Sequence, residues 1–186
     1  IRSRLVGSEM CIRDSDKLRN ETDSNRFFES WKNGLTGYPM VDACMRSLIK
    51  TGWLNFRMRA MLMSFASYHL WLPWQKTSKY LATLFIDYEP GIHYSQSQMQ
   101  SGTTGINAIR IYNPIKQGID HDPDGIFIKK WVPELKNVPK KYIHMPWENI
   151  DFIKEYNFPI VEESDARKSA ASKIYKLRKE QSHKIE

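Results

Sequence analysis

The chain has 186 residues, a formal net charge of +7 and a sequence pI near 9.3, with 41% hydrophobic and 12% aromatic residues. That is enough apolar material for one domain with its own core, and it excludes a disordered chain. The 2 cysteines exclude a disulfide scaffold, no Cys/His spacing offers a zinc site, and no apolar run approaches a membrane span. Ile1–Val6 is too short and too charged for a secretory signal, so a cytoplasmic setting is expected. The basic balance favours polyanionic partners, nucleic acid ahead of membrane, although charge alone fits a merely soluble basic protein equally well.

Residues 1–15 carry no periodicity that joins the rest of the chain; they resemble spurious translated sequence and stand outside the fold. Asp16–Arg26 is charged and reads as a mobile lead-in. The expected division is therefore a lead-in over 1–26, a helical domain over 27–162 and a charged helix or tail over 163–186. Pro39 suits the first turn of a helix, and Val41, Cys44, Met45 and Leu48 repeat at helical spacing. Asp42 and Arg46, four apart, are expected to pair on its outer face, and Gly52 to stop it. Leu54–Leu70 lacks Gly and Pro and reads as a long buried helix, broken at Leu72-Pro73-Trp74. Its Met58, Met61 and Met63 read as core filling. Thr77–Asp87 reads as a further helix with Tyr80, Leu81, Leu84 and Phe85 on one face.

Tyr88–Gly105 is rich in Gly, Ser, Thr and Gln and reads as loop or short helical turns lining something. Ile109–Asn113 runs into Pro114, and Asp124 is expected to cap a short helix through Trp131. Pro133, Pro139 and Pro146 punctuate an extended connector, and Pro146-Trp147-Glu148 is expected to start one more helix. The tail, with Ala166, Ala170, Ile174 and Leu177 loosely spaced, reads as a surface helix. The fold class is all-α.

The run from Trp31 to Trp53, WKNGLTGYPMVDACMRSLIKTGW, resembles a signature of the flavin-binding half of the photolyase/cryptochrome family. The likeness continues through RMRAMLMSFASYHLWLPW, LFIDYEPG and SGTTGINAIRIYNPIKQGIDHDPDGIFIKKWVPEL to YNFPIV, covering about Phe27 to Tyr175. The resemblance implies a multi-helix FAD-binding domain of photolyase/cryptochrome type, drawn from the C-terminal part of such a protein. It also implies incompleteness on the N-terminal side, where family members carry an antenna-pigment domain and a helical segment that binds the FAD phosphates. FAD is the implied cofactor, DNA with a flipped pyrimidine dimer the implied partner, and light-driven repair by a monomer the implied activity. Two other readings stand beside it: a cryptochrome-like photoreceptor without repair, and a cofactor-free helical nucleic-acid-binding module.

The resemblance also implies site residues. Arg59 and Asp87 match a family ion pair beside the flavin ring; without the resemblance they read as an ordinary helix–helix pair. Glu89 falls where the family has an aspartate contacting the flavin or ribose, and His93 where photolyases commonly carry an asparagine facing flavin N5. An isolated loop histidine is as readily a plain polar surface group. Arg57 matches an arginine at the active-site mouth; two residues along a helix diverge by about 200°, so Arg57 and Arg59 cannot share a task. Trp74 matches the middle tryptophan of the family's electron-transfer triad, but the proximal position is Ser97 and the distal one falls near Glu21. Trp74 and His93 are thus the candidates for chemistry, with Trp71, Tyr88 or Tyr94 as other electron routes. Met99 occupies the place of a dimer-flanking tryptophan, and Phe56 that of an asparagine. Arg110 and Lys116, with Lys129 and Lys130, are candidates for DNA phosphates, although a basic run also reads as a solvated face.

Overall fold

The structure, a computed structural model, describes Arg19, residues 25–104 and residues 109–182. Among these residues every regular element is helical and none is a strand. In chain order they are α1 (Asn25–Lys32), α2 (Pro39–Thr51), α3 (Phe56–Ser64), α4 (Trp74–Ala82), α5 (Pro90–Ser101), α6 (Pro114–His121), α7 (Ile126–Trp131) and α8 (Glu163–Ser182). A π-helical turn, Phe65–His69, extends α3, and four short 3-10 turns fill the connector between α7 and α8. The reading of residues 1–15 lies outside the described residues.

Helix α2 is the hub. Pro39 opens it, and Gly52 closes it in the left-handed region at φ 70°. It packs against α1, α3, α6 and α7. Val41, Cys44, Met45 and Leu48 point into a core with Trp31, Met61, Leu62, Phe65 and Leu72, each of these 0% exposed. The methionines are core, as their spacing implied.

The Asp42–Arg46 pair does not form, because the two side chains do other work. Asp42 is fully buried and turns back onto the preceding turn. Its carboxylate accepts from Thr36 N (2.8 Å), Thr36 Oγ1 (2.7 Å), Gly37 N (3.0 Å) and Tyr156 Oη (2.5 Å). Arg46 instead donates twice to Glu134, at 2.9 and 2.8 Å, and once to Gly34 O. Each bond ties α2 to a distant segment. Gly37, at φ +79°, lets the Phe158 carbonyl close in: a Cβ there would lie 2.3 Å from that oxygen.

Other boundaries differ from expectation. The stretch read as loop or short helical turns holds α5, a continuous 12-residue helix. Glu89 caps it, Pro90 opens it and Gly102 ends it at φ 75°. Its serines do not break it because their hydroxyls bond carbonyls one turn back, Ser95 to Gly91 (2.6 Å) and Ser97 to His93 (2.8 Å). Helix α4 ends at Ala82, so Asp87 sits in the turn beyond it. The side chain that caps α7 is Asp122, accepting from Phe127 N (3.1 Å) and Ile128 N (2.9 Å); Asp124 pairs with Lys140. Pro146–Glu148 makes one 3-10 turn and stops. Helix α8 packs its Ala170 and Ile174 against Tyr68 of the π-helical turn. Arg19, in the stretch read as mobile, is 5% exposed and donates to Ser67 O (3.0 Å) and Ser101 O (2.8 Å).

Candidate functional site

Three elements wall a cavity of about 170 Å³ that opens to solvent. Helix α3 presents Phe56, Arg59, Ala60 and Met63, the i, i+3, i+4, i+7 stripe of one face. Helix α4 and the turn after it supply Leu81 and Phe85. Helix α5 contributes Ile92, His93, Gln96, Ser97 and Gln100, again one face. Asp87, Tyr88 and Glu89 form the rim. The walls are mostly apolar and the polar groups converge on them, as ligand sites commonly arrange them.

Arg59 and Asp87 meet as the sequence implied, with Nη2 2.8 Å from Oδ2. Arg59 also donates Nε–H to Leu54 O at 2.7 Å and lies 4.2 Å over the Phe85 ring. The guanidinium is therefore held from three sides. The pair is not buried, however: its side chains are 25% and 48% exposed, so it sits at the cavity mouth. The hydrogen bond from Arg59 holds the Asp87 carboxyl below its ordinary range.

His93 belongs to α5 and not to a loop. Its Nε2 is 2.8 Å from Ser78 O. A carbonyl only accepts, so Nε2 carries the proton and Nδ1 keeps the lone pair. Burial, with Arg59 nearby, lowers its pKa below the usual histidine value, so the ring is neutral at pH 7. Phe85 and Tyr88 pack edge-on to it, with ring centroids 5.8 and 5.5 Å away. Glu89 spends one carboxylate oxygen on its capping bond, accepting from Ile92 N at 2.7 Å.

The cavity thus brings together Arg59, Asp87, Glu89 and His93. The other sequence candidates lie elsewhere. Arg57 is exposed and is not among the residues that line the cavity. Trp74 is 9% exposed at the start of α4, and Met99 is half-buried; neither lines the cavity. Arg110 is exposed, and Lys116 pairs with Asp120 at 3.1 Å. Of the other proposed electron routes, Tyr88 lines the cavity and Tyr94 packs against it, at 6.3 Å between centroids. Trp71 instead has Arg19 (4.7 Å) and Lys173 (4.5 Å) over its ring. Gln96, Ser97 and Gln100 carry no ligand-binding assignment from the sequence, although their spacing from His93 would have put them on its helix face.

A flat aromatic ring fits the lining: apolar faces, a fixed cation at the mouth, and a buried Gln96 Oε1 with no hydrogen-bond partner. A diphosphate does not find an anchor there. Arg59 is the one arginine or lysine among the described lining residues, and Asp87 already holds it.

The sequence profile of the FAD-binding domain of DNA photolyase matches residues 3–176. The deoxyribodipyrimidine photo-lyase of Alkalihalophilus pseudofirmus is 37% identical over 154 residues, covering 77% of this chain and 32% of that protein. Cryptochrome-2 of Arabidopsis thaliana is 36% identical over 165 residues, covering 83% of this chain and 27% of the relative. Among solved structures, a class III photolyase from Agrobacterium tumefaciens superposes with a TM-score of 0.81 at 32% identity, covering 96% of this chain and 42% of that one. An archaeal photolyase from Sulfolobus tokodaii, solved with two FAD molecules, gives 0.77 at 37% identity over 83% of this chain and 36% of that one. Fold and site define a helical flavin-pocket domain. The chain belongs to the FAD-binding domain family of the DNA photolyases and cryptochromes. It spans about a third of the length of the curated photolyases it matches.

Proposed function

We propose that this chain is the C-terminal flavin-ring lobe of a photolyase-type protein that repairs pyrimidine dimers in DNA with light. The observation that carries the reading is the Arg59–Asp87 pair at the mouth of an apolar cavity walled by α3 and α5. When bound, FAD supplies the light-driven electron transfer. The protein supplies position and charge. Arg59 sets a fixed positive charge beside the ring, and Asp87 holds that charge in place. Phe56, Met63, Leu81 and Phe85 would give the ring apolar walls. His93, neutral with its lone pair on Nδ1, offers an acceptor but no second proton donor. Glu89 braces the start of α5 and with it that wall.

DNA is the proposed partner. Arg57, exposed beside the cavity-lining Phe56, is suited to a lesion or its phosphate, and Met99, Arg110 and Lys116 are proposed along the same path. Trp74 is proposed as an electron relay behind the cavity. The diphosphate grip and an antenna domain are assigned to polypeptide beyond the cavity lining. A cytoplasmic setting is part of the proposal; none of the described helices is long and apolar enough to cross a membrane.

The test is photochemical. The protein carrying this chain, loaded with reduced FAD, is mixed with an oligonucleotide containing one cyclobutane pyrimidine dimer. Dimer loss in light but not in darkness is expected. A flavin-loaded protein that leaves the dimer intact would overturn repair and favour the photoreceptor reading, which the similarity to cryptochromes keeps in view. A protein that takes up no flavin would overturn both.

A further inference from the structure

The polar groups around the cavity are almost all occupied. Arg59 donates to Leu54 O and Asp87, Glu89 accepts from Ile92 N–H, His93 Nε2–H donates to Ser78 O, and Ser97 Oγ donates to His93 O. Two side chains differ. Gln96 Oε1 is buried with no hydrogen-bond partner. Gln100 is 4% exposed, lines the cavity, and has no side-chain hydrogen bond among the described residues. Residues four apart on α5 lie one above the other on one face, so the two carboxamides share the stripe that α5 turns to the cavity, facing the apolar Phe56, Met63, Leu81 and Phe85 of the other walls. A buried polar group without a partner is costly, and native structures rarely leave one without a reason.

We infer that Gln96 and Gln100 are ligand-binding residues that read the hydrogen-bonding edge of a flat heterocyclic imide. The inference rests on the reading of this cavity as a flavin-ring site. An imide edge runs carbonyl, N–H, carbonyl. A carboxamide carries one acceptor and two N–H donors, so two of them can meet such an edge with an acceptor for its N–H and donors for its carbonyls. The oxidised flavin ring has one N–H, at N3, and it lies on this edge. Charged Asp87 and Glu89 are poorer readers here, since each is already engaged at the rim. The two glutamines thereby select the ring by its edge, while Arg59 acts on its charge.

The test uses ring-only probes, which remove the phosphates from the question. Lumiflavin and its N3-methyl derivative are titrated into the full chain and followed by quenching of flavin fluorescence. Wild type is expected to bind lumiflavin about tenfold more tightly than the methylated ring, the worth of one buried hydrogen bond. Gln96→Leu and Gln100→Leu are each expected to weaken lumiflavin binding and to narrow that preference. Gln96→Glu, which keeps an acceptor, is expected to retain it. Circular dichroism of each variant separates lost recognition from lost folding, and the Gln96→Glu result reads the acceptor even if a leucine variant unfolds. Equal binding of the two rings by wild type overturns the inference and leaves the flavin cavity standing. An undiminished preference in both folded leucine variants also overturns it. Failure of wild type to bind either ring overturns the flavin cavity and the inference together.

Discussion

Two stretches of this chain make opposite use of their polar groups. The run from Trp31 to Trp53 spends them inward: Asp42 takes four hydrogen bonds, Arg46 clasps Glu134, and Gly37 admits the Phe158 carbonyl. The stretch from Asp87 to Ser101 turns several of its polar groups to a cavity, where Asp87 stands 48% exposed and Gln96 Oε1 has no partner. The first contributes nothing to the described cavity lining, and the second contributes 8 of its 14 residues. The run that identifies the family is therefore a structural knot. Most of the cavity lining sits in a stretch whose composition looks like loop or short helical turns.

If that contrast is right, damage to the knot should be costly to stability. Asp42→Ala removes the acceptor for two N–H and two O–H groups and leaves them buried. It is expected to destabilise by about 4 kcal/mol, read as a lower urea midpoint, the range for breaking a buried charged network. A loss below about 1 kcal/mol would mean that water reaches the knot and satisfies the donors. Gly37→Ala is expected to cost about 3 kcal/mol, because the new Cβ meets backbone and the left-handed φ adds strain. The knot's contact is with a segment 121 residues further along the chain, so the variant should also loosen the stretch near Phe158, read by faster proteolysis there.

A smaller effect sharpens the comparison through pH. Burial lowers the pKa of His69, His93 and His144 below the ordinary 6.5. Glu163 and Arg167 also face His69, Arg59 faces His93, and Asp122 faces His144, without reversing the direction. Each unfolded ring therefore takes up its proton at a higher pH than the folded one. Below about pH 6.5 the unfolded state binds more protons, so stability should fall as pH falls, and be level above that value as far as these groups decide it. Urea melts at a series of pH values check this. His69→Gln should flatten the slope, and an unchanged slope would remove His69 from the account.

Much of the fold was legible in the sequence for plain reasons. Pro39 and Gly52 bracket α2 and Leu54–Leu70 lacks a breaker, so local rules and tertiary outcome agree there, whereas the helix that Asn113 caps and Pro114 opens, α6, was not expected. The inward turn of Asp42 was not legible, because spacing reports which residues share a helix face and not which distant donors wait there. Helix α5 was hidden by its serines and glutamines, which satisfy themselves along the helix or face the cavity. The same composition concealed Gln96 and Gln100. Arg59 and Asp87 came from family likeness, and their distance agrees with it, but their exposure could not be read from either.

That exposure gives the last and smallest expected loss of stability. The Arg59–Asp87 pair is short but open to solvent, and open pairs contribute at most about 1 kcal/mol. Asp87→Asn keeps the shape and removes the charge, so its urea midpoint should stay close to wild type. Flavin affinity should nevertheless fall, because Arg59 loses its counter-charge: beyond the Leu54 carbonyl and the Phe85 face, a neutral amide acceptor holds it less firmly beside the ring. Arg59 fixed by those two contacts alone would leave affinity unchanged, and Asp87 would then be a rim group without a part in binding. A large stability loss would instead put the pair with the knot, and the division between the two stretches would fail at its most informative residue.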